Sequence, residues 1–150
     1  MKKIFTFIIC TIFLFSLTSC KQTEKTTIES NEWILSTIQS NEQNGDIIAY
    51  NPNDNTVIVP ENAIIIELSC SAKDKVLTLL DETNNKTYTG EYKELDDNFE
   101  STIYEITINE TQGTAVASTM EYNDGKEIPT LIITLGDYTL NFYSNASGGL

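Results

Sequence analysis

From residue 33 onward the chain alternates in short runs between apolar and polar positions, with turn residues between the runs. Side chains of a β-strand point to opposite faces at every second residue, so such a run predicts a strand between core and water. In Ile64-Ile65-Ile66-Glu67-Leu68-Ser69-Cys70 the even positions are all apolar. Tyr88, Gly90 and Tyr92 oppose Thr87, Thr89, Glu91 and Lys93, and Tyr104, Ile106 and Ile108 oppose Glu105, Thr107 and Asn109. The same reading places Val116, Met120 and Tyr122 on the dry face, opposite Ala117, Thr119 and Glu121. It also places Tyr138, Leu140 and Phe142 there, opposite Thr139, Asn141 and Tyr143.

The links between runs are rich in turn formers. Asn84-Asn85, Asn123-Asp124-Gly125 and Gly136-Asp137 suit tight hairpins, and Pro60 and Pro129 stand at the start of runs, where a missing amide donor matters least. Seven sequential strands are predicted over residues 63–143, preceded by one at 33–39 and a weaker pair at 47–50 and 56–59. No stretch has a sustained helical period. The predicted fold is all-β, an antiparallel up-and-down meander closing into a small barrel of eight to ten strands, since open edges invite aggregation; a β-sandwich is the alternative. Outward positions carry Glu, Lys, Thr and Asn, which argues against a barrel facing lipid.

The first thirty residues follow another logic. Lys2 and Lys3 precede an apolar stretch over residues 4–17, interrupted only by Thr6, Cys10, Thr11 and Ser16. At about 14 residues it falls short of the ~20 that span a bilayer core, and it reads as a secretion signal. It ends in Leu17-Thr18-Ser19-Cys20, which resembles the lipobox of bacterial lipoprotein precursors. The resemblance implies cleavage before Cys20, a diacylglyceryl group on its thiol and an acyl chain such as palmitate on its new amine. Domain boundaries follow: a signal peptide over 1–19, lipidated Cys20 with a flexible polar tether over 20–30, the barrel over 31–145 and a tail over 146–150. Two acyl chains suffice for stable anchoring in a membrane. Lys21 occupies the position where lipoproteins of this kind carry Asp for inner-membrane retention. The expected location is therefore the cell envelope: the outer membrane of a Gram-negative cell, or the outer face of a Gram-positive one.

Composition narrows the chemistry. Without residues 1–19 the chain has 131 residues, with seven lysines against 22 acids and a charge of −15. There is no Arg and no His. Nucleic acid needs a basic surface, bidentate phosphate recognition usually recruits Arg, and general-base and transition-metal chemistry most often use His. No nucleic-acid partner, metal or cofactor is expected, and neutral, apolar or cationic partners are. With Cys10 in the leader and Cys20 lipidated, Cys70 has no partner for an intrachain disulfide, and its apolar face predicts a buried, unreactive thiol.

An N-terminal Trp in the first strand (Asn31-Glu32-Trp33-Ile34-Leu35), followed by a meander, resembles the lipocalin-like domains of bacterial envelope lipoproteins. Asn31 stands where the usual Gly-x-Trp has Gly, and no late Arg is available to stack on Trp33. The resemblance implies a lumen, and Tyr88, Tyr92, Tyr104, Tyr122 and Tyr138 are the residues expected to line it, with apolar walls and hydroxyl handles for a small ligand. A solid core with each hydroxyl at the rim is the plainer reading. Asn51, Asn53, Asp54 and Asn55 lack the order of a calcium loop and read as a surface turn. Asp96, Asp97 and Glu100 around Phe99 read as a solvated connection, and no carboxylate pair suggests glycoside hydrolysis.

Two functions fit these observations. One is a non-enzymatic, lipid-tethered module that binds a small apolar or neutral ligand. The other is a protein-interaction module, an envelope assembly factor or an inhibitor, that docks a cationic envelope protein through its acidic surface.

Overall fold

A computed structural model describes residues 25–145, except 43, 44, 55, 56, 99 and 122–124. It contains ten strands: β1 Trp33–Ser40, β2 Asp46–Tyr50, β3 Ile64–Ile65, β4 Leu68–Lys73, β5 Val76–Asp81, β6 Lys86–Asp97, β7 Ser101–Ile108, β8 Thr111–Glu121, β9 Glu127–Leu135 and β10 Tyr138–Ser144. From β4 to β10 each strand pairs antiparallel with its neighbour in the chain. β10 then pairs with β1 along its length, from Trp33↔Ser144 to Ser40↔Tyr138. β1 reaches β4 through Trp33↔Cys70 and Ile34↔Ser69, and this pairing closes an eight-stranded barrel. The sandwich alternative is thereby excluded.

β2 and β3 are extra to the barrel. The second half of β1, from Thr37 to Ser40, turns its free edge to β2, and β3 pairs with β2 in parallel. One strand thus serves two neighbours on the same side, with a register shift between Ile38 and Gln39. Hairpin turns set the meander. Asp74-Lys75 and Asn109-Glu110 each place two consecutive residues at positive φ, the geometry whose twist matches the flanking strands.

Alternation puts one apolar set inside each strand. Trp33 and Leu35 of β1, Leu77 of β5, Ile106 of β7, and Leu131 and Ile133 of β9 are essentially sealed from solvent. Burial of this kind contributes roughly 25 cal/mol per Å² of apolar surface.

Several sequence expectations require correction. In β8 the inward residues are Ala115 and Ala117, while Val116 is half-buried and Met120 is exposed. Ala115 lies opposite Ile133 and Ala117 opposite Leu131, so small side chains fill the space that large cross-strand partners leave. Hydropathy favoured the bulkier set, and packing selected the other. In β10 Leu140 and Phe142 point inward as expected, but Tyr138 is 48% exposed. Tyr143 is buried on the opposite face, and burial first, then the charge of Asp54, raise the pKa of its hydroxyl. The expected strand over 64–70 is two strands, because Ile64 and Ile65 pair with β2, while Leu68 and Cys70 enter the barrel core and Ile66 packs half-buried against it. Residues 57–59 form no strand, and residue 56 lies outside the described set.

The largest correction concerns residues 25–30, expected as part of a flexible tether. They are folded against the end of the barrel, and Ile28 is completely buried in the core cluster. The folded unit therefore begins before residue 31. Cys20, the lipobox and the 146–150 tail lie outside the described residues.

Candidate functional site

The barrel end that carries the N-terminus of β1, the Asp74-Lys75 turn and the C-terminus of β10 is filled by residues 25–32. A local turn shapes this segment: the Thr27 N–H donates to Ser30 Oγ at 2.9 Å and the Ser30 N–H donates to the Thr27 carbonyl at 3.1 Å. The turn pushes Ile28 into the mouth, where no strand can satisfy its peptide groups. Side chains do so instead. Trp33 Nε1 donates to the Ile28 carbonyl at 2.8 Å, and the Ile28 N–H donates to the Tyr104 hydroxyl at 3.2 Å. A buried peptide group left without a partner costs about 1–3 kcal/mol, so these two bonds decide whether the plug can stay.

Other contacts hold the rim. The Tyr92 hydroxyl donates to the Glu29 carboxylate, and Lys25 forms an ion pair with Asp97. Thr26 Oγ1 and Thr119 Oγ1 share a hydrogen bond of 2.7 Å, and Ser144 Oγ donates to Asn31 Oδ1 at 2.8 Å. Tyr92 and Tyr104 meet edge to face, with ring centroids 5.7 Å apart. Burial, followed by the hydrogen bond to Glu29, pushes the Tyr92 phenol up to about 12. Burial also raises Tyr104, partly offset by the Ile28 amide. Both phenols are therefore neutral donors or acceptors at physiological pH.

A cleft of about 460 Å³ opens beside the plug, lined by Ile28, Glu29, Lys75, Tyr92, Lys93 and Glu94 among others. It combines an apolar floor with two carboxylates and two ammonium groups. A second groove, about 490 Å³, lies on the outer wall beside the β1–β4 seam, where Ser69, Ser71, Thr78 and Thr87 present hydroxyls between Glu32 and Glu82.

Of the five tyrosines expected in a lumen, the four described residues do not gather there. Tyr104 and Tyr92 are buried at the plugged mouth with hydroxyls committed to residues 28 and 29. Tyr88 is half-buried against the core, Tyr138 faces solvent, and Tyr122 lies outside the described residues. Sequence reading missed Thr26, Ile28 and Glu29. The available signal was small: Ile28 is the only apolar side chain in the polar stretch 21–32.

Remaining candidates are structural. Burial drives the Cys70 thiol up to about 12, which keeps it protonated and unreactive. Asn51 is buried and forms a local turn, its Oδ1 accepting from the Asn53 N–H at 2.9 Å. Asn98 Oδ1 accepts from the Glu100 and Ser101 amides, so these three residues are also tied together locally. Among the described residues, no group of three or more His, Cys, Asp or Glu side chains is arranged to hold a metal.

Comparison with protein-family models, curated proteins and solved structures finds no match to the chain. The closed antiparallel barrel is consistent in its architecture with a lipocalin-like, calycin-type fold.

Proposed function

We propose that this protein is a lipid-anchored component of a bacterial cell envelope that works by binding another protein, without catalysis. The anchor reading rests on Leu17-Thr18-Ser19-Cys20 after an apolar leader. The observation that carries the binding mode is the burial of Ile28 inside the barrel mouth, with both of its peptide groups bonded to barrel side chains. Its own chain and the side chains of Trp33, Leu35, Leu77, Ile106, Leu131 and Ile133 fill the interior, which moves recognition to the outer surface. That surface is strongly acidic, which suits a cationic partner.

The cleft beside the plug supports a second reading. A small apolar or neutral molecule would sit against Ile28, Tyr92 and Tyr104, and would gain room if residues 25–30 withdrew. Native mass spectrometry of the full-length chain released from mild detergent separates the two. A retained small molecule that is lost in Tyr104→Ala favours the cleft, while a bare protein favours outer-surface binding. For the anchor, Cys20→Ser should abolish labelling by fatty-acid analogues and leave the precursor uncleaved; normal labelling in that variant would overturn it.

A further inference from the structure

Among the described residues, the outer edge of β3 is an unpaired sheet edge that carries exposed apolar side chains. Ile64 and Ile65 are 63% and 55% exposed, and they are consecutive, so they point to opposite faces of the strand. A strand with apolar side chains on both faces and water on both sides gains nothing from burial in this fold. Ile58 is 94% exposed on the other side of the turn that the Ala63 amide closes onto the Pro60 carbonyl. β3 is held from one side only, through Ala49↔Ile64 and Tyr50↔Ile65, with the Ile66 N–H extending the pairing to the Tyr50 carbonyl at 3.0 Å. Its opposite edge pairs with no strand among the described residues. Natural proteins usually blunt such an edge with Lys or cover it.

No Lys lies nearby. Residues 26–72 contain seven acids and no cation, and Asp46, Glu61 and Glu67 are exposed around the edge. Lysines of the described residues sit elsewhere: Lys25 against Asp97, Lys73 and Lys75 at the β4–β5 turn, Lys86 and Lys93 in β6 and Lys126 before β9. The apolar edge is therefore flanked by acids and by no cation of its own segment, and the Lys86 side of the sheet lies two strands away from Leu68. A second copy of this chain would bring the same acids to the same edge, and like charges facing each other disfavour that pairing.

We infer that β3 is a docking edge for an extended, cationic segment of another protein, which adds a strand beside Ile64-Ile65 and places Lys or Arg against Asp46, Glu61 and Glu67. The outward main-chain groups of Ile65 supply register, since the amides of Ala63 and Glu67 are bonded to Pro60 and Thr83, while the isoleucines supply apolar contact and the acids select against neutral or acidic strands. This inference specifies the site and chemistry of the protein partner proposed above and rests on that reading.

The test uses the full-length chain in non-ionic detergent and a peptide of about ten residues alternating Val and Lys, a length that matches a short strand. A matched peptide carrying Glu in place of Lys serves as the counter-probe. The Lys peptide should slow amide hydrogen exchange at Ile65, whose N–H faces away from β2 while that of Ile66 is already bonded to Tyr50, and its binding should weaken as salt is raised. Ile64→Thr combined with Ile65→Thr keeps β-branched residues in an exposed strand, so the thermal transition should stay in place. The same pair of changes should weaken peptide binding by about tenfold or more through lost apolar contact. Equal affinity of the double variant, or equal binding of the Glu peptide, would overturn the inference. Protection by the Lys peptide at another acidic surface would overturn the β3 site while leaving the protein-binding reading in place. A peptide-independent dimer that dissociates in the double variant would assign the edge to a second copy and overturn the heterologous partner.

Discussion

Trp33 Nε1 donates a 2.8 Å hydrogen bond to the carbonyl of Ile28, five residues earlier in the chain. Both residues are completely buried, so the bond ties the segment that plugs the barrel to the strand that closes it. Trp33 also lies opposite Cys70 on β4 and Ser144 on β10, the two neighbours that β1 joins.

Trp33→Phe keeps most of the apolar volume and removes the donor, leaving the Ile28 carbonyl buried without that partner. The expected loss is about 1–3 kcal/mol in urea unfolding, whereas Trp33→Ala should lose about 3–5 kcal/mol through the cavity it leaves. A Phe variant as stable as the parent would show that the hydrogen bond does not hold the plug.

Alkaline pH should loosen the same mouth. Tyr92 is raised from its ordinary 10.0 to about 12 in the fold, first by burial and then by its bond to Glu29. A group that holds its proton more tightly when folded gives stability that is complete below the unfolded pKa and is lost as pH rises towards the folded one. Stability should therefore fall between pH 10 and about 12. Tyr92→Phe should flatten that fall and cost about 1 kcal/mol at neutral pH. Cys70, raised from 9.0 to about 12, adds a loss that begins at lower pH and persists in the Phe variant. An unchanged alkaline slope in Tyr92→Phe would contradict this account.

Gly90 is fixed by a close approach of strands. A Cβ there would lie 2.2 Å from the Thr107 carbonyl oxygen and 2.7 Å from Ile108 Cγ1, and the first of these is backbone that cannot rotate away. Gly90→Ala should therefore destabilise by about 1–3 kcal/mol or more, unlike an ordinary strand Gly→Ala change. A neutral or raised melting temperature would show that β6 and β7 can separate there at little cost.

Glu110 completes the β7–β8 turn at φ 67°. A left-handed residue other than Gly costs about 1–2 kcal/mol, so Glu110→Gly should gain about 0.5–1 kcal/mol after the added chain entropy is subtracted. The position lies at the barrel end opposite the plug, which leaves the cleft unaffected. Thermal unfolding provides the readout, and a fall in midpoint would refute the strain.

Alternation determined most of the barrel strands, because a period of two is a local property of the chain. Tyr104, Ile106 and Ile108, or Leu140 and Phe142, reveal their inward face without knowledge of any neighbour. Turn residues revealed the meander for the same reason. The inward face of β8 was not legible, since Ala115 and Ala117 are inside only because Leu131 and Ile133 face them. Nor was the departure of Ile64-Ile65 from β4, which depends on where β1 bends towards β2. The plug was hidden most deeply. A lone Ile28 among polar residues carries no period, and its burial depends on an indole and a phenol that the closed barrel brings to it from Trp33 and Tyr104. Local pattern specified most of the segments that become barrel strands. Only closure of the barrel decided what fills its mouth and which apolar edge, at β3, is left facing water.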